Sequence, residues 1–172
     1  IVDDRFPSLN ISAAEGYTEN YPLVNDKASV AGAYWLVILE KAMAKLNVNY
    51  TGINGGQIGE AMRFMTGMPT NEFDSNTMSE DQLWTHVTNG FAKDYNMGAG
   101  CQVSHFNMIS GHAYGVIGHA TLSGGASDGQ KLIKMRNPWG TETYNGEWHD
   151  GDRRWTRHLK NQVGLISDND GT

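Results

Sequence analysis

Between residues 34 and 46 the apolar side chains Trp35, Ile38, Leu39, Ala42 and Leu46 recur every three to four positions, while Glu40, Lys41 and Lys45 fall on the other side. That spacing predicts an amphipathic helix. Gly55-Gly56 closes the following loop, and Ile58, Ala61, Met62 and Met65 mark a second, shorter helix that stops near Gly67. Ser79 followed three residues later by Gln82 makes a capping box, with Met78 placed to pack on Leu83 as a hydrophobic staple. A third helix over 80–92 follows, burying Leu83, Val87 and Phe91. From Gly98 onward the pattern changes to short runs punctuated by glycine, and 101–106, 112–122 and 131–136 read as strands. Gly124-Gly125 and Asp128-Gly129 supply the turn between the last two. Residues 1–33 carry Pro7, Pro22 and several Gly, Asn and Ser, and read as a short strand at Ile1-Val2 followed by loop. Helices first and strands afterwards describe an α+β domain.

Bulk properties narrow the function. The 172 residues suit one domain, residues 1–172, large enough to bury a core without covalent staples. Hydrophobic residues at 39% and charged residues at 19%, with 21 glycines and five tryptophans, describe a turn-rich globular chain rather than a disordered one. A net charge of −6 without a Lys/Arg cluster argues against nucleic acid or an anionic membrane as the main partner. No apolar run approaches the ~18 residues of a membrane span, so no membrane insertion is expected, and nothing at Ile1 reads as a signal peptide. The single cysteine, Cys101, cannot form an internal disulfide, which favours an intracellular, cytoplasmic location. The opening Ile-Val-Asp-Asp, without Met, is expected to belong to a longer chain.

The candidate chemistry lies in Gly111-His112-Ala113-Tyr114 and Arg136-Asn137-Pro138-Trp139-Gly140. If the run from His112 pairs antiparallel with the run ending at Asn137, and Ala120 faces Lys131, then Asn137 faces Tyr114. It is then a diagonal neighbour of His112 on one face, about 7–8 Å away at the backbone. A slip of one residue would put the pair on opposite faces. An Asn carbonyl accepting from one ring nitrogen leaves the other free to share a proton with a thiol, as a Cys-His-Asn site requires. Trp139 is placed to keep water from that hydrogen bond. The same residues also read as a half-buried strand histidine and an ordinary turn residue before proline.

Gly-His-Ala-Tyr at 111–114, Lys-Leu-Ile-Lys-Met-Arg-Asn-Pro-Trp-Gly at 131–140 and Gly-Glu-Trp-His-Asp at 146–150 resemble the histidine and asparagine blocks of calpains, papain-like cysteine proteases of the cytosol. Val-Asp-Asp-Arg-Phe-Pro at 2–7, the helical stretch at 35–46, Gly55-Gly56, Phe-Met-Thr-Gly at 64–67 and Gly100-Cys101 follow in the family's order, so the resemblance covers nearly the whole chain. It implies the C-terminal subdomain of a papain-like core, with N-terminal helices packed on a mostly antiparallel twisted sheet or half-barrel. His112 is then the general base, Asn137 its orienter and Trp139 the shielding residue. The nucleophilic cysteine and oxyanion glutamine of such proteases lie on a preceding subdomain, which becomes the expected partner beside the protein or peptide substrate. Cys101 matches a structural cysteine of the family, and the isolated chain is expected to be inactive.

No cofactor is implied for the chemistry. The resemblance does imply a calcium site, matched here by Asp150 and Asp170, with Thr143 and Thr172 where acidic residues are usual and with Glu142, Glu147 and Asp152 nearby in sequence. A solvated acidic loop is the competing reading. His86, His105, His119, His149 and His158 lack zinc-ligand spacing, and the glycine-rich 52–59 lacks the Lys-Ser/Thr end of a phosphate loop. Two alternatives to an endopeptidase remain open. One is a non-catalytic interaction module on the same fold, and the other is acyl transfer to an amine by the same triad chemistry.

Overall fold

The computed structural model describes residues 1–3, 34–165 and 171–172, together with the backbone of 8–10 and 20–22. They fall into two compact units, Ile1–Gly56 and Gln57–Thr172. In the first unit the backbone pairs β1 (Ser8–Asn10) antiparallel with β2 (Asn20–Pro22), Leu9 opposite Tyr21. This corrects the expectation of uninterrupted loop, the rest of which falls outside the described residues. Ile1-Val2 is not a strand. The Ile1 carbonyl instead accepts from Lys45 at 2.6 Å, and Asp3 pairs with Lys41, so these residues lie along the polar side of α1 (Trp35–Leu46). Val37 and Ala44, four residues before and three after Lys41, are buried next to it on the same face of that helix, whereas Trp35, Ile38 and Leu46 of the expected apolar face are exposed.

The second unit holds the remaining elements. Helix α2 (Ile58–Thr66) ends where Gly67 adopts φ of 70°, a left-handed cap that a side chain would strain. Helix α3 (Glu80–Ala92) begins with the expected capping box, Ser79 Oγ accepting from Gln82 N at 3.2 Å and Gln82 Oε1 accepting from Ser79 N at 2.9 Å. Three strands follow, β3 (Met97–Cys101), β4 (His112–Thr121) and β5 (Lys131–Arg136), all antiparallel in the order β3-β4-β5. Helix α2 packs on β3 and α3 on β4, where the His119 ring meets Trp84 edge-on and lies against Phe91. The fold is α+β, helices on an antiparallel sheet, as the order of elements implied.

Two strand expectations need correction. The first strand precedes Cys101 rather than following it, because Gly98 and Gly100 admit a helix instead of interrupting the strand. A Cβ on Gly98 would lie 2.9 Å from the Ile58 side chain. After Cys101 the chain makes a tight turn at His105 to Met108, with Phe106 and Asn107 both at positive φ (47° and 59°) and Met108 N donating to His105 O.

The second correction is in register. Lys131 faces Thr121 rather than Ala120, and a bulge at Ile117 absorbs one residue, so that Arg136 faces Gly115. The bulge restores, at the His112 end, the pairing anticipated from Ala120 opposite Lys131. A short helix missed from the sequence, α4 (Arg157–Val163), is capped by Thr156, which accepts from Leu159 N, and ends at Gly164 in the left-handed region. It buries Leu159 to 4% exposure, and Gln162 ties it to Ser123 at the end of β4.

Candidate active site

His112 is the first residue of β4, held there by Gly111, whose φ of 71° turns the chain and whose N–H donates to Cys101 O at 2.7 Å. Asn137 directly follows β5, at the point where Pro138 ends the ladder. The bulge in β4 puts the two on one face, and their side chains meet with His112 Nε2 2.8 Å from Asn137 Oδ1.

Asn137 is 3% exposed and uses its polar atoms fully. Its Oδ1 also accepts from Trp139 N at 3.1 Å, its Nδ2 donates to Thr141 O at 3.0 Å, its backbone N donates to Gly171 O at 2.6 Å, and its carbonyl accepts from Gly140 N at 3.0 Å. This set fixes which way the carboxamide points. Turned over, it would oppose two donors at Trp139 and two acceptors at Thr141. With Oδ1 as acceptor, His112 Nε2 must carry its proton, leaving Nδ1 with a lone pair for an incoming acid. The imidazole is packed edge-on to Tyr114 and at 4.5 Å, tilted by 52°, to the ring of Trp139. Tyr114 is itself buried and fixed through its hydroxyl, which accepts from Ile109 N.

Gly171 stands behind this turn. Its φ is 88°, and a Cβ there would come within 2.9 Å of Asn137 O and 3.0 Å of Thr141 N. Sequence reasoning assigned Gly171 no role, because a lone glycine near the end of the chain gives no signal until the turn it abuts is known.

Cys101 sits opposite His112 in the β3–β4 ladder, a directly paired position. Its thiol is turned to the Val103 carbonyl, and the His112 ring is engaged by Asn137, Tyr114 and Trp139.

The remaining expectation concerned calcium. Asp170 lies outside the described residues. Among the described residues no three His, Cys, Asp or Glu side chains converge as metal ligands would. The carboxylates flanking Asp150 in sequence are held by a guanidinium, Glu147 at 3.0 Å and Asp152 at 2.5 Å from Arg154. Glu147 and Asp152 are therefore already charge-paired within the chain. His149 accepts from Gly151 N through Nδ1, His158 faces Gln162, and His86 stacks on Phe73, each a structural contact. No helix among the described residues is long and apolar enough to cross a membrane.

The model of the calpain family cysteine proteases matches residues 1–172. The chain is 31% identical to calpain clp-1 of Caenorhabditis elegans over 99% of its own length and 22% of that protein. It is 29% identical to the calpain-1 catalytic subunit of Mus musculus over 91% of its length and 22% of that protein. It is 31% identical to the calpain-type cysteine protease DEK1 of Zea mays over 75% of its length and 6% of that protein. The chain thus spans about a fifth or less of these relatives. A full-length family match of this kind means that the chain belongs to the calpain family of cysteine proteases.

Proposed function

We propose that residues 1–172 are the histidine- and asparagine-bearing subdomain of a calpain-like endopeptidase core, working with a cysteine supplied by an upstream subdomain of the same parent protein. The observation that carries this reading is the 2.8 Å contact between His112 and an Asn137 whose orientation is fixed on every side. In this mechanism His112 Nδ1 takes the proton of the partner cysteine, giving a thiolate–imidazolium pair. The neutral Asn137 carbonyl steadies the imidazolium without removing its proton. The thiolate adds to the scissile carbonyl, and His112 returns the proton to the departing amine. Water, deprotonated by the same ring, then releases the acyl-enzyme. Trp139 covers one side of the imidazole and limits water access to the His–Asn bond. Substrates are extended segments of intracellular proteins lying across the junction of the two subdomains. No cofactor takes part, and a calcium ion bound near Asp150 would have to compete with Arg154 for the carboxylates beside it.

Peptide hydrolysis is the test. The parent protein, with its upstream half present, is expected to cleave an unfolded protein substrate, and His112→Ala is expected to lower kcat/KM by about four orders of magnitude or more. The purified 172-residue chain is expected to cleave nothing. Full activity in the parent carrying His112→Ala would sink the assignment. A parent with Ser or Ala at the upstream nucleophile position would favour the interaction module instead.

A further inference from the structure

The loop that follows Trp139 is built around one cation, and that cation belongs to the chain. Arg154 reaches Glu147 with one terminal nitrogen at 3.0 Å and Asp152 with the other at 2.5 Å, while its Nε lies 3.0 Å and 3.1 Å from the two Asp152 oxygens. The guanidinium stands 5.0 Å from the centre of the Trp148 ring, and Trp148 meets Trp155 edge-on. Asp152 also accepts from Trp148 N at 2.8 Å and from Arg154 N at 2.9 Å, and Trp155 Nε1 donates to His149 O. Trp148 is held at φ of 64°, an unusual state for an aromatic residue that only surrounding contacts can maintain. The Asp152 side chain is only 11% exposed, so its charge is largely withdrawn from water into this cluster. The side-chain hydrogen bond from Arg154 holds its carboxyl well below the usual carboxylate range.

The cluster connects to the candidate active site through few bonds. Glu147 O accepts from the Tyr144 hydroxyl, and Asn145 N donates to Phe106 O. Three residues before Tyr144 is Thr141, whose carbonyl fixes the Asn137 carboxamide. We propose that Arg154 is a positioning residue that acts as the built-in cation of residues 141–155, ordering the segment behind Asn137 and Trp139 so that its conformation does not depend on a divalent ion. A planar guanidinium suits this role because it engages two carboxylates and a ring at once, which a point charge does not. The positioning part of this claim rests on the function proposed above, whereas the cation part does not.

Hydrogen exchange on the full-length parent protein, with millimolar calcium or with excess chelator, separates the two. In the unmodified protein the amides of Trp148 and Arg154 are expected to be equally protected in both conditions. Arg154→Met is expected to lower that protection about tenfold or more and to lower kcat about tenfold with KM within about twofold. Arg154→Lys is expected to restore part of both. If Arg154→Met also strips protection from β4 and β5, Glu147→Gln replaces it, with the same local loss expected. Calcium-dependent protection in the unmodified protein would overturn the proposal, as would unchanged kcat in an active parent carrying the decisive variant. A parent that shows the expected exchange but cleaves no substrate refutes the proposed function while leaving the cation role standing.

Discussion

Asn137 is buried, and its carboxamide and backbone make five hydrogen bonds, three of them within residues 137–141. A side chain so placed serves both orientation and stability, since an apolar replacement would leave Thr141 O and Trp139 N without their partners. Asn137→Ala is therefore expected to lower kcat of the parent protein by about a hundredfold, with KM little changed, because His112 loses the acceptor that sets its tautomer. Gly171 gives the same argument from the backbone side. At φ of 88°, with Asn137 O within 2.9 Å of a would-be Cβ, Gly171→Ala must both strain itself and push the turn. A loss of about 2 kcal/mol or more in urea unfolding is expected, together with a fall in kcat. An alanine variant with full stability and full kcat would show that the turn is free to adjust.

At the level of elements, the first three helices and the last strand are legible in the sequence because their signals are local. Ser79 and Gln82 place the start of α3, Gly67 the end of α2, and the apolar run 131–136 is β5. The parts that were not legible depend on what lies across from them. Gly98 and Gly100 look like interruptions until α2 is seen on top of them, and the bulge at Ile117 is set by sheet pairing rather than by any residue at that position. The His–Asn pairing was anticipated through a register that is one residue off at the Lys131 end and right at the Arg136 end. The site could be read because the bulge lies between them. Helix α4 is short, and its anchoring to Ser123 through Gln162 is a long-range contact. The packing of α2 on β3 yields a prediction in the form of a double-mutant cycle. Gly98→Ala alone is expected to cost about 1–3 kcal/mol by collision with Ile58, and Ile58→Ala alone about 2–5 kcal/mol. Combined, they should cost measurably less than their sum, since each removes the other's fault. Strict additivity in denaturant midpoints would mean that the helix and strand do not touch as described.

On the scale of the whole molecule, the proposed function makes the candidate site a half that needs another half, and Cys101 is where that proposal is most exposed. It is the chain's one cysteine and it sits directly opposite His112, so a self-contained Cys–His dyad is the simplest rival to a nucleophile supplied from elsewhere. The geometry weighs against that rival. The thiol gives its hydrogen to Val103 O, and Cys101 lies at a strand end rather than at the helix N-terminus that usually activates such a group. The His112 ring, for its part, is wedged between Tyr114 and Trp139. Replacing the thiol decides between the two. Cys101→Ser in the parent protein is expected to leave kcat/KM within about twofold, because a hydroxyl can still donate to Val103 O and no covalent role is lost. A peptidyl epoxide is expected to label the parent at a different cysteine and to leave native Cys101 unmodified. Loss of activity in Cys101→Ser with the fold intact, accompanied by labelling at Cys101, would make this chain its own nucleophile and His112 its direct partner.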